Sequence, residues 1–313
     1  MSGSALQKYF EDVAGLQRHE FFATTGLQNE LSTGEVFPAI RKDEVHFYHR
    51  GARLCVYKAK DKNMYSNNRY LGLPDNGRSR DVPIPAVWYT PAKFNELKKT
   101  CKGWRHAERE LSIVSQLFPE FSISASHQPA DRARLLDIEC CFLGATGAAA
   151  ADSKALDMID CLFLTPQGSL VFVEVKKTSN SEARGNGQSE PAVAGQLRRY
   201  RRQLESDKLR KEIKDVYAGV IGTLSQILRR PLPTPKKVFT PRTVFKTVPL
   251  LIVGTTQTRS PQSHETWQRD LLAAPLSIES DTVGIDGRDG RMIAKLDAFF
   301  RLLDSNLAEA ASR

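Results

Sequence analysis

Two apolar runs separated by one short turn constrain this chain more than any other feature. Residues 158–164 read Met-Ile-Asp-Cys-Leu-Phe-Leu and residues 170–176 read Leu-Val-Phe-Val-Glu-Val-Lys, with Thr165, Pro166, Gln167, Gly168 and Ser169 between them. Pro and Gly punctuate a turn, and the β-branched and aromatic residues on either side predict an antiparallel hairpin. Runs this apolar belong to central strands covered on both faces. An ionised carboxylate is costly there unless something compensates it, yet each run contains one, Asp160 in the first and Glu174 in the second. Side chains alternate faces along a strand, so Glu174 and Lys176 point the same way while Val173 and Val175 point the other.

Adjacent strands bring Asp160 beside Glu174. Two carboxylates at that distance repel each other. An oxygen-loving divalent cation such as Mg²⁺, which takes one or two carboxylates together with waters and phosphate oxygens, turns the repulsion into a site. Lys176 then has a role: it orients or helps deprotonate the attacking water and offsets the charge that builds on a phosphate during in-line attack. A Glu-x-Lys on an exposed strand is also an ordinary ion pair. That reading predicts a solvated Glu174 and no acidic cluster.

Asp160 followed by Glu174-Val175-Lys176 on the next strand resembles the signature of the PD-(D/E)XK nuclease superfamily. The resemblance implies an α/β, restriction-endonuclease-like core with a central mixed sheet flanked by helices. It also implies Mg²⁺ as cofactor, with Mn²⁺ as a substitute. Asp160, Glu174 and the backbone carbonyl of Val175 would be metal ligands, and Lys176 would activate the attacking water. Residues 194–204 place Leu197, Tyr200 and Leu204 on one helical face, with Gln196 one turn before Tyr200. They resemble the Gln-x-x-x-Tyr helix of RecB-like members, which implies a positioning role for Gln196 at the rim of the metal site. Lys102-Gly103 and Ala107-Glu108-Arg109-Glu110-Leu111 resemble the first helix of archaeal Holliday-junction resolvases, another branch of the superfamily. That likeness implies Glu108 as an extra acidic residue at the metal and Arg109 as a phosphate contact. On the apolar stripe formed by Trp104, Ala107, Leu111, Val114 and Phe118, Glu110 falls nearer the middle than Glu108 does, so Glu110 remains the alternative. The chain departs from compact resolvases over residues 121–155, where a strand at 134–143 and a small-residue loop at 144–152 intervene. Asp137, Glu139 and Asp157 are nearby carboxylates and so rivals for the metal position: Asp137 and Glu139 alternate on one face of that strand and read as solvated, though one of them could line the cleft, and Asp157 reads as a cap or turn residue.

The chain of 313 residues has 45 Lys and Arg against 36 Asp and Glu, a formal charge of +9, which fits a nucleic-acid partner. The distribution of charge says more: between Gln196 and Lys214 there are eight basic residues (Arg198, Arg199, Arg201, Arg202, Lys208, Arg210, Lys211, Lys214) against three acidic ones (Glu205, Asp207, Glu212). A second basic stretch spans residues 229–246. The expected nucleic-acid contacts are Arg109, Lys177, Arg198, Arg199, Tyr200 and Arg202, with DNA as partner and binding that weakens with salt. Five cysteines, Cys55, Cys101, Cys140, Cys141 and Cys161, include no Cys-x-x-Cys pair and read as core thiols, not as zinc ligands or disulfides. No apolar run reaches membrane-spanning length and no signal-peptide pattern opens the sequence, so the expectation is a cytoplasmic protein with no membrane partner. No Walker-type glycine-rich loop is present, and ATP use is not indicated.

Residues 1–100 read as a small β-rich accessory module. A short helix holds Leu6, Phe10, Val13 and Leu16, strands follow at 35–41, 45–48 and 53–57, and an Asn- and Gly-rich surface loop occupies 61–81. Such a module could read DNA, sense an activating signal or make a dimer contact. The nuclease core is expected over residues 101–255, closing with a strand at 248–254, and residues 256–313 are expected to form a C-terminal helical extension. Together these readings point to a Mg²⁺-dependent endonuclease hydrolysing DNA, with restriction or anti-phage defence as a setting by fold-level analogy. The alternatives are a catalytically inactive nuclease-like module that binds nucleic acid or protein, and a DNA repair or recombination nuclease. A homodimer, and a regulatory partner or signal acting through the N-terminal module, stay open.

Overall fold

A computed structural model of the chain describes residues 8–74, 78–103, 110–141, 158–177, 180, 192–238, 250–254, 282–286, 298, 300 and 301. The chain divides into two units. Unit 1 is Met1–Ala130, Arg134–Asp137 and Asp215–Pro235, and unit 2 is Asp131–Ala133, Ile138–Lys214 and Lys236–Arg313. Unit 1 therefore extends past the expected boundary at residue 100 and takes in the second half of a helix from much later in the chain.

Unit 1 begins with three short helices, α1 (Val13–Arg18), α2 (Glu20–Thr24) and α3 (Leu27–Thr33). A five-stranded antiparallel sheet follows, β1 (Phe37–Arg41), β2 (Glu44–His49), β3 (Ala52–Lys58), β4 (Asn63–Asn67) and β5 (Asp81–Pro83), ordered as in the sequence. The first three strands lie where apolar alternation puts them. β4 lies inside the stretch read as a surface loop. Its Asn-rich composition argues against a strand, but Met64 and Ser66 alternate inward while Asn63, Tyr65 and Asn67 stay half-exposed, and that pattern suffices for pairing on an existing edge. Asp12 caps α1 by accepting from the Gly15 N–H at 3.1 Å, and it also accepts from the buried Tyr57 hydroxyl at 2.7 Å, tying the first helix to β3.

Next come α4 (Pro91–Gly103), which packs on β2 and β3, then α5 (Glu110–Val114), a 3-10 turn at Ser115–Leu117 and α6 (Phe118–Phe121). Phe118 stacks on Phe37 of β1 with ring centroids 4.9 Å apart. Gly34, just before that strand, has φ +77°, and a Cβ there would lie 2.5 Å from the Phe118 carbonyl oxygen, so a side chain is excluded both by the backbone conformation and by the close approach of α6. This packing explains why the unit does not end near residue 100.

Strand β6 (Arg134–Cys141) gives its first four residues to unit 1 and the rest to unit 2. The expectation that Asp137 and Glu139 share a solvated face is corrected. Glu139 has φ +50°, which breaks the alternation, and Asp137 is 1 % exposed. Its carboxylate sits 2.5 Å from the Lys8 ammonium and 2.8 Å from the Arg41 guanidinium, and it accepts from the Tyr217 hydroxyl at 2.7 Å. Burial alone would raise the Asp137 carboxyl, but Arg41 and Lys8 outweigh it and hold the group well below the usual carboxylate range. This cluster removes Asp137 from the rivals for a metal-binding role.

In unit 2, β7 (Met158–Leu164) and β8 (Ser169–Lys177) form the expected hairpin, with Gly168 at φ +85° in the turn. Around it a six-stranded mixed sheet has the order β11-β10-β8-β7-β6, and β9 (Lys237–Val238) also pairs with β8. β10 (Leu250–Gly254) runs parallel to β8, and β11 (Thr282–Asp286) runs parallel to β10. Strand β8 is thus central, with β7 on one edge and β9 and β10 on the other. Helix α7 (Ala192–Leu204) buries Val193, Leu197, Tyr200 and Leu204 along one stripe. Helix α8 (Asp207–Leu228) follows as a single helix that begins inside the basic stretch ending at Lys214. Phe300 packs on Phe163 of β7, ring centroids 4.7 Å apart. Apart from residues 298, 300 and 301, which are helical, the expected C-terminal helices lie outside the described residues.

A candidate acidic site on the β7–β8 hairpin

The hairpin register places Cys161 opposite Val173. One residue further on each strand are Asp160 and Glu174. Asp160 is half-buried, and its Oδ2 accepts from the Val175 N–H at 2.8 Å. The carboxylate therefore takes the place of a ladder carbonyl at the point where the two strands separate. Glu174 is 1 % exposed and Lys176 4 %, and the Lys176 ammonium lies 2.9 Å from Glu174 Oε1. Strand alternation puts the two on one face, as the sequence predicts, but the face is buried. This excludes the solvated ion pair that an exposed strand would have given. Backbone pairing with β10 fixes this stretch from the other side, Glu174 opposite Leu250 and Lys176 opposite Ile252.

Helix α7 reaches the same end of the hairpin through hydrogen bonds. Gln196 Nε2 donates to the Tyr200 hydroxyl at 2.5 Å, and that hydroxyl donates to the Met158 carbonyl at 2.6 Å, two residues before Asp160. Tyr200 was expected among the nucleic-acid contacts. It is corrected to a core residue, because its ring is fully buried in the apolar stripe of α7 and only its hydroxyl has a polar task, holding β7 and Gln196 together. Arg198, Arg199 and Arg202 are exposed, and Arg201 pairs with Glu205 at 3.1 Å.

Glu108 and Arg109 lie outside the described residues. Glu110, the alternative acidic residue, opens α5 in unit 1 and is half-buried. Lys177 ends β8 opposite Val253. The described thiols of Cys55, Cys101, Cys140 and Cys161 are buried and unbridged, and burial pushes Cys101 up to about 12. They are core residues.

Among the described residues no group of three or more His, Cys, Asp or Glu side chains is placed to hold a metal ion. What the hairpin offers is two carboxylates, Asp160 and Glu174, with the Val175 backbone between them. That donor set suits Mg²⁺, which keeps most of its waters and needs only one or two carboxylates. It does not suit zinc, which takes nitrogen and sulfur ligands in a closed set.

Reasoning from sequence missed two polar clusters. A carboxylate set in Leu135-Leu136-Asp137-Ile138 is itself a signal of burial, and it was read by alternation alone. The bond from Tyr200 to Met158 spans 42 residues, and no spacing rule announces it. No protein-family model matches the chain, and neither a curated protein nor a solved structure matches it.

Proposed function

We propose that unit 2 is a metal-dependent nuclease that hydrolyses phosphodiester bonds in DNA, with Asp160 and Glu174 as the residues that hold Mg²⁺ and the Val175 carbonyl as a further ligand. The observation that carries this reading is the hairpin geometry. Asp160 is locked to the Val175 N–H at 2.8 Å, immediately beside a Glu174–Lys176 pair withdrawn from solvent. A bound Mg²⁺ or Mn²⁺ would supply Lewis-acid polarisation of the scissile phosphate. The protein's own residues account for the rest. Asp160 is oriented by the backbone of β8, so its position does not depend on side-chain packing alone. Lys176 brings a positive charge into a region of low dielectric, where it offsets the charge that grows on the phosphate and orients the attacking water. Gln196, held by Tyr200, is set to orient water or the nucleic-acid backbone. Exposed Arg198, Arg199 and Arg202 on α7 would neutralise phosphates and make binding salt-dependent. A carboxylate from Glu108 belongs to this reading through the resemblance alone.

A second reading has its own support. Glu174 Oε1 is already paired with Lys176 at 2.9 Å, which is also how a nuclease-like module that binds nucleic acid without cutting it would look. Incubation of the purified protein with supercoiled plasmid and with single-stranded DNA, in Mg²⁺, Mn²⁺ or EDTA, separates the two. Metal-dependent cleavage that disappears in Glu174→Ala and Lys176→Ala supports the nuclease. DNA binding with no cleavage in any metal supports the binding module.

A further inference from the structure

The pair Glu174–Lys176 has a consequence for how the site is loaded. Both residues are more than nine-tenths buried, and their charged atoms lie 2.9 Å apart. Residues two apart on a strand have Cβ atoms roughly 6.6 Å from each other, so the lysine stem bends back along β8 to bring its ammonium onto the carboxylate. Burial makes an uncompensated Glu174 expensive, and the ammonium removes that cost. It does so at the same carboxylate that the proposed nuclease needs for its cation. A divalent ion and an ammonium on one carboxylate repel each other strongly in such a medium.

We infer that Lys176 is the built-in stand-in for the cation of this site: it occupies Glu174 in the metal-free protein, competes with a divalent ion for that carboxylate, and is displaced by it. The inference rests on the nuclease reading and deepens it, since it concerns the occupancy of the same site. Competition is reciprocal by linkage: if the cation weakens the hold of Glu174 on Lys176, then Lys176 weakens the hold of Glu174 on the cation by the same factor. The lysine therefore works against cation binding while serving the chemistry. Its release is the event that sends a positive charge toward the phosphate only when the metal is in place. If Lys176 merely positions Glu174, removing it leaves cation affinity unchanged or lowers it.

The test is Mn²⁺ titration of the wild type, Lys176→Met, Lys176→Arg and the double variant Lys176→Met with Glu174→Gln, by calorimetry and by Mn²⁺ paramagnetic resonance. Lys176→Met is expected to bind Mn²⁺ at least about tenfold more tightly than wild type, even though it no longer cuts DNA. Lys176→Arg should stay near wild type, and the double variant should lose the gain. Wild-type binding that Lys176→Met leaves unchanged or weakens overturns the inference and leaves the nuclease reading standing. Absence of Mn²⁺ binding in both wild type and Lys176→Met overturns the inference together with the reading beneath it. A companion measurement needs no variant. Acetylation of Lys176 in the wild-type protein, followed by mass spectrometry, should rise several-fold when Mn²⁺ replaces EDTA, and equal labelling in the two conditions overturns the displacement.

Discussion

Asp137 and Glu174 are both acidic residues in the middle of buried strands, each against a cation, and the proposed function gives them opposite purposes. The partners of Asp137 come from far along the chain: Arg41 is 96 residues away and Tyr217 is 80. Closing that cluster fixes the N-terminal segment, β1, β6 and the second half of α8 at once, so the charge is part of how unit 1 holds its shape. Glu174 is paired with Lys176, two places along its own strand. A bond so local closes no loop and gives the fold little. Burial alone therefore does not mark a carboxylate as structural. What distinguishes the two is the sequence distance over which each is compensated, and the proposed chemistry falls to the carboxylate compensated by its own strand.

The largest effect that would break this comparison is on stability. Asp137→Ala leaves the buried Lys8 and the half-buried Arg41 without their carboxylate and is expected to cost about 3–5 kcal/mol in urea denaturation. Glu174→Gln combined with Lys176→Met removes both charges of the local pair, so it should move the denaturation midpoint far less while abolishing cleavage. Equal losses of stability in the two variants would erase the distinction.

Acid should separate the two further. In unit 1, burial first, and then Arg41 and Arg53, lower His46 to about 3, with Asp81 opposing and Lys8 adding to the fall. The ring is therefore neutral, and its Nε2, 2.7 Å from Glu44, donates as an N–H and not as half of an ion pair. A depressed value in the folded state means that the unfolded chain takes up the proton first. The contribution of His46 is then intact above its unfolded value, near 6.5, and is lost as the pH falls toward about 3. Asp137 has the same sign but a lower window, intact above roughly pH 4 and lost only below it. His46→Gln should flatten the decline in stability between pH 6.5 and 4, and Asp137→Asn should leave that part of the curve alone. Denaturation midpoints across the range check both.

The smallest effect concerns Tyr200. Tyr200→Phe keeps the ring in the stripe and removes the hydroxyl that joins Gln196 to the Met158 carbonyl. Stability is expected to drop by about 1 kcal/mol. The cleavage rate at saturating DNA should fall with little change in the DNA concentration needed, since the residue positions and does not touch substrate. A change confined to DNA affinity would return Tyr200 to the nucleic-acid contacts.

The parts of the fold legible in the sequence are those whose physics is local. The hairpin of β7 and β8, the first three strands of unit 1 and the buried stripe of α7 each follow from alternation, helical period or a turn residue. Glu174 and Lys176 share a face for the same reason. Interactions that span the chain were not legible. Lys8, Arg41 and Tyr217 reach Asp137 from three separate elements, and nothing in the spacing of any one of them announces the others. The extension of unit 1 beyond residue 100 was hidden similarly, because the stacking of Phe118 on Phe37 is visible only when both elements are in place. β4 was hidden by composition, since Asn-rich segments read as loops until an edge is present for them to pair with.

The turn between β7 and β8 also bears on the order in which this chain folds. The bond from Asp160 to the Val175 N–H closes a separation of only 15 residues, whereas β10 reaches β8 from the far side of two helices. Short loops close fast, and hairpins form on a scale of about 1–10 μs, well ahead of distant parallel pairing. The two carboxylates are thus expected to meet in a nascent hairpin before the sheet around them exists. Pulsed hydrogen exchange during refolding would then find the Val175 amide protected earlier than that of Leu251.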